Sequence, residues 1–316
     1  MDERKPGLPS VYKAREDRKR GRYSRPTGGL WLAAGAAVLG ILVVYRVVAG
    51  RQLDAAKAAL LAKQRAVAAT LGATWFPLRD RVEKLTVDAA ARFDGDFVDR
   101  GMKDWDFRSL PGLYLRLRTA DAKDAASIRA AAPGSLRDGF VACLLREPNV
   151  PAAKGEADAG AFSEQPWNWQ KAYGVTRILT DDWVSEVKDA SDPLRLRVFE
   201  QQYDKAVKEE IPSAIDLVQR AQFFLLVLDE DAPDAAADGG APVTEEALQE
   251  VPHFARVHLV NLKSGAEVVR VRRTAEASFV FAGERPVNDP ETLAAMKRQV
   301  NNCALAKAVE AALAGS

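Results

Sequence analysis

The 316 residues carry 45 Lys/Arg against 44 Asp/Glu and only two cysteines, and that length accommodates one large domain or two small ones. The near-neutral sum hides an asymmetry, with a net +5 before Leu30 and a net −5 from Arg51 onward. No G-x-S-x-G, P-loop, Rossmann glycine fingerprint or Cys/His pairing of known spacing occurs, which sets aside motif-bearing hydrolases and nucleotide enzymes.

Residues 1–29 are basic and rich in turn formers (Pro6, Pro9, Gly21, Pro26), and read as a disordered cytoplasmic tail. Residues 30–50 follow as a transmembrane helix. Leu30 to Tyr45 are uncharged, and the stretch spans about 30 Å at 1.5 Å per residue. No other stretch is as long and apolar, so the chain is expected to cross a membrane once. The positive head keeps the N-terminus in the cytoplasm. A cleaved signal sequence ending near Val48-Ala49-Gly50 is the competing reading, opposed by the long head and by Arg46. Ala36 and Gly40, with Ala33 and Ala37 beside them, form small-xxx-small pairs that would let two spans meet in a parallel homodimer.

Residues 51–95 are expected to form a helical stalk or arm. Leu53, Ala56, Leu60, Val67 and Leu71 recur at helical spacing, Gly72 is expected to end that helix, and Pro77 to begin a second. The stripe through Leu53, Leu60 and Val67 would either continue a dimer seam or pack on the domain that follows.

The remainder, 105–316, reads as an extracytoplasmic α+β domain, a mixed β-sheet with packed helices. Leucines 113, 115 and 117 alternate with Tyr114, Arg116 and Arg118, the pattern of a half-buried strand. Asp121 is the expected cap of a short helix. Gly112 is expected in a turn. Residues 140–145 and 175–179 read as strands, and 148–172 as an inserted loop. Residues 193–222 are helical, kinked or split at Pro212. The six apolar residues 223–228 predict a central strand buried on both faces. An acidic loop near 230–252 precedes a hairpin of strands 255–262 and 267–273, and a helix over 290–313 closes the domain.

Candidate functional residues are few. Trp167 and Trp169, with Tyr173, could stack on sugar rings or anchor a partner, or could pin their own loop. Cys143 and Cys303 could pair in an oxidising compartment. Asp229-Glu230-Asp231, Asp234 and Asp238 cluster carboxylates, but Pro233 breaks the calcium-loop spacing, which leaves a solvated acidic loop. His258 reads as a strand histidine disfavoured as His⁺ or metal ligand by Arg256 on the same face. No cofactor, metal or nucleic acid is expected. The sequence therefore points to a single-pass bacterial inner-membrane protein with a periplasmic domain, acting as a non-catalytic structural or interaction component of an envelope assembly. The alternatives are a glycan- or ligand-binding module built on Trp167 and Trp169, and behind it a membrane-anchored hydrolase.

Overall fold

A computed structural model describes residues 28–132, 139–145, 165–231, 244–276 and 289–315. The expectations for the tail and for much of the 148–172 and 230–252 loops lie outside them. The chain divides into two compact units, Met1–Ala59 and Leu60–Ser316.

Helix α1, Gly28–Ala91, belongs to both units. Its apolar start is long enough and apolar enough to cross a membrane, and none of that stretch is buried. Trp31, Ile41 and Tyr45 are each more than two-thirds exposed. In the second unit, by contrast, Leu60, Gln64, Trp75, Val82 and Thr86 form a buried stripe. The helix neither stops at Gly72 nor restarts at Pro77. Gly72 serves its neighbour instead, since a β-carbon there would lie 2.9 Å from the Phe76 ring. Pro77 forfeits one ladder bond, and buried Trp75 and Val82 secure the helix on either side of it.

The body is a mixed six-stranded sheet of order β1-β6-β5-β4-β2-β3. Its strands are β1 (Phe97–Val98), β2 (Gly112–Arg118), β3 (Trp167–Asn168), β4 (Phe223–Asp229), β5 (His253–Asn261) and β6 (Glu267–Ala275). Strand β2 runs parallel to β3 and β4, and the remaining pairs are antiparallel. The register puts Leu113, Leu115 and Leu117 beside Phe224, Leu226 and Leu228 on one face, and Tyr114 and Arg116 beside Leu225 and Val227 on the other. Both faces are covered, so β4 is the expected central strand, whereas β2 is not half-buried as its alternation suggested. Gly112 opens β2 rather than making a turn, because the Phe223 ring occupies the space of any β-carbon.

Between β2 and β3 lie α2 (Ala125–Ala131) and α3 (Gly139–Leu145). The cap of α2 is Asp124, which accepts from the Ser127 N–H, and not Asp121. Residues 140–145 form a helix, with Phe140 and Leu144 buried one turn apart, so the strand expected there is absent. Residues 175–179 likewise close α4 (Gln170–Val175) and continue as a 3₁₀ turn, Arg177–Leu179. Then come α5 (Asp181–Lys188), α6 (Pro193–Lys205) and α7 (Ile211–Arg220). Pro212 does not break the last two apart. A π turn, Ala206–Glu210, absorbs it, with the Ile211 N–H reaching back to Ala206. Helix α8 (Glu245–Gln249) precedes the hairpin, and α9 (Pro290–Ala314) closes the body against α3 and β6. Phe140, Leu144, Leu305 and Val309 of α3 and α9 share a core with Leu225, Val227, Val257 and Val271 of the sheet.

Leu226→Asp puts a carboxylate on the opposite covered face, beside Leu115 of β2 and across from the buried His258 of β5, which Glu267 already holds. Chemical unfolding should register a loss of several kcal/mol, the cost of moving a charge into the core. Unchanged stability would show that β4 is not central to the core.

Candidate functional site

Trp167, Trp169 and Tyr173 come together in the second unit. Trp169 stacks on Trp75 of α1 at 5.5 Å between ring centroids, and meets Trp167 and Tyr173 edge to face. Its indole N–H donates to the Tyr173 hydroxyl at 3.1 Å, which bonds to Glu83 Oε1 at 3.1 Å. Arg129 clamps both oxygens of Glu83, at 2.8 and 2.6 Å. Burial first, and then the Glu83 charge, push the Tyr173 phenol well above its ordinary range, so the hydroxyl stays protonated. Both tryptophans are fully covered. The cluster pins α4 and β3 to α1, and neither indole offers a face to a sugar in this arrangement.

Cys143 on α3 and Cys303 on α9 form a disulfide. Ala33, Ala36, Ala37 and Gly40 are exposed on α1, with no atom within 4 Å of a β-carbon placed at Gly40.

A cavity of about 210 Å³ lies beside the hairpin, lined by Asp88 of α1, by Arg92 just beyond that helix, and by His258, Glu267 and Arg270. His258 Nδ1 is 2.6 Å from Glu267 Oε1, and Arg270 pairs with the other Glu267 oxygen at 3.1 Å. The partner of His258 is thus a carboxylate and not Arg256, whose guanidinium bonds Glu230 and the Ala90 carbonyl. Among the described residues His258 Nε2 has no hydrogen-bond partner, and it is screened from solvent. Among the described residues no group of three or more His, Cys, Asp or Glu is arranged to hold a metal ion.

The densest polar arrangement had no signature in the sequence. Arg116 projects from β2 into a row with Val227, Val257 and Val271 and is completely buried. It grips Asp229, the last residue of β4, through Nε at 2.7 Å and Nη2 at 2.9 Å. Its Nη1 donates to Asn302 Oδ1 on α9 at 2.7 Å. Asn302 in turn donates to Gln249 of α8, and Asn301 to the Gln249 carbonyl. His253 Nε2 meets the second face of Asp229 Oδ1 at 3.0 Å. Burial alone would raise the Asp229 carboxyl, but the Arg116 charge and the His253 and Arg116 hydrogen bonds outweigh it and hold it at about 2. Asp229 is therefore part of the core and not of a solvated acidic loop. Glu230 and Asp231 are also engaged, with Arg256 and Arg272 and with Arg118. Asp234 and Asp238 lie outside the described residues.

Comparison with protein-family models, with curated proteins and with solved structures gave no match to this chain.

The Asp229 geometry sets a pH dependence. A carboxyl held below its ordinary value of 3.8 contributes stability that is present above about pH 4 and is lost as pH falls toward about 2. Asp229→Asn should cost about 3–5 kcal/mol at pH 7, because it strands Arg116 in the core, and should flatten that acid limb. Urea unfolding of both proteins between about pH 2 and about pH 7 would read both effects. An acid limb as steep in the variant as in the wild type would show that another carboxylate carries it.

Proposed function

We propose that this chain is a single-pass protein of a bacterial inner membrane, N-terminus in the cytoplasm, whose body works in the periplasm as a non-catalytic structural or interaction component of an envelope assembly. The observation that carries the reading is the start of α1, an apolar rod exposed around its whole circumference. Such a surface in water far exceeds what a soluble protein leaves uncovered, and lipid is the medium that matches it. The net +5 of the head favours cytoplasmic retention of that side. A disulfide between α3 and α9 favours an oxidising compartment for the body. The scaffold role draws support from how ionisable side chains are used. Arg116, Asp229, Glu83 and Arg129 hold elements of the body to one another.

Protease added to spheroplasts should digest the body and spare the head. A mature chain beginning at Arg51 would overturn the anchor. Crosslinking in cells, followed by identification of co-purifying chains, should recover envelope proteins, and recovery of none would remove the assembly role.

The same reading allows a homodimer through the span. Leu60 is only 3% exposed within its own unit, so a seam beyond it is already occupied and the contact falls to Ala33, Ala36, Ala37 and Gly40. Gly40→Ile should lower the crosslinked dimer fraction while the body keeps its thermal stability, because bulk at that position separates the helices. An unchanged dimer fraction would leave the span as a tether only.

A further inference from the structure

His253 opens β5 on the sheet face that carries Arg116 and Asp229, and its side chain is completely buried. The Nδ1 atom lies 2.8 Å from the Val251 carbonyl oxygen, and Nε2 lies 3.0 Å from Asp229 Oδ1. Both partners are acceptors. A backbone carbonyl has no proton to give, and the Asp229 carboxyl, gripped by Arg116, stays ionised. A neutral imidazole owns one N–H, so its other nitrogen would set a lone pair against an oxygen lone pair where no water intervenes. Turning the ring over offers no escape, because carbon atoms would then face both oxygens. His258 is different, since only its Nδ1 meets an acceptor among the described residues, the Glu267 carboxylate.

We propose that His253 is held as an imidazolium in the folded body, and that its second proton is the latch joining the α8–β5 junction to the sheet. The surroundings fit one added positive charge. From β4 comes the Asp229 carboxylate, and from β2, behind it, the Arg116 guanidinium. Helix α9 contributes the uncharged Asn301 and Asn302, and α8 contributes Gln249, which both asparagines hold. The α8 carboxylate Glu245 accepts from Gln249 Nε2 at 3.4 Å, and Glu250, just past α8, is engaged by Arg298. From β6 the residue opposite His253 is Ala275. One carboxylate thus sits between two cations, with amide dipoles around them.

Removing the latch proton would cost either the Val251 bond or the Asp229 bond, and both lie at the point where α8 hands over to β5. Proton release and loosening of residues 249–255 are therefore one event.

The chain has only two histidines, which makes the test direct. The full-length protein in nanodiscs, labelled with ¹⁵N-histidine, should give His253 ring signals with both nitrogens protonated at pH 7. His258→Gln identifies them by removing the other set, so the assignment does not depend on a His253 variant folding. Amide exchange in 249–255, corrected for intrinsic rates, should accelerate about tenfold or more as those signals convert to the neutral form at higher pH. His253→Gln, where it folds, should abolish that step. A neutral His253 ring at pH 7 would overturn the imidazolium. Protection that stays constant through its titration would overturn the latch.

Discussion

A guanidinium among valines has no water to screen it, and the arrangement around Arg116 follows from that. Moving an arginine and an aspartate out of water costs several kcal/mol per ion, so the pair must be closed geometrically and hydrogen-bonded. Asp229 supplies two of the contacts and Asn302 a third. Through these the pair reaches β2, β4 and α9, and through His253 and Gln249 it reaches β5 and α8. Its net contribution to stability is small beside that of the apolar core. Its value is in register, because slipping β2 by one residue would turn Arg116 onto the leucine face, away from Asp229.

What could be read in the sequence was what local pattern controls. The run at 223–228 needed cover on both faces and has it. The hairpin and the closing helix α9 declared themselves by turn residues and by period. The failures share one cause. The runs at 140–145 and 175–179 are too short for their spacing to separate a buried helix from a strand. A half-buried strand and a fully buried one with a single paired arginine write the same alternation, which concealed β2. Nothing local connects Arg116 to a carboxylate 113 positions later, or Glu83 to Tyr173 90 positions later. The aromatic content of 167–173 was visible, but its partners Trp75 and Glu83 were not, because they belong to a helix that reads as a stalk.

That helix changes character along its length. Residues 31–48 are exposed on all sides, whereas beyond Leu60 a buried stripe carries Gln64 and Glu83 as well as Trp75 and Val82. Gln64 donates to the Ile178 carbonyl, and Arg81 bonds the Leu262 carbonyl where the hairpin turns. From Leu60 on, the segment read as a stalk or arm packs on the domain that follows it, which explains how it tolerates Gly72 and Pro77 in mid-helix. Tertiary contact supplies what propensity lacks.

The link between Cys143 and Cys303 spans 160 positions, and β3, β4, β5 and β6 all fall between its ends. Most of the body is therefore a covalent ring. A single backbone cut anywhere inside that ring leaves two polypeptides still joined through sulfur, and only a reductant sets them apart. The ring also imposes an order on biogenesis. Its closing thiol lies on α9, so the link cannot form until every strand of the sheet has been synthesised.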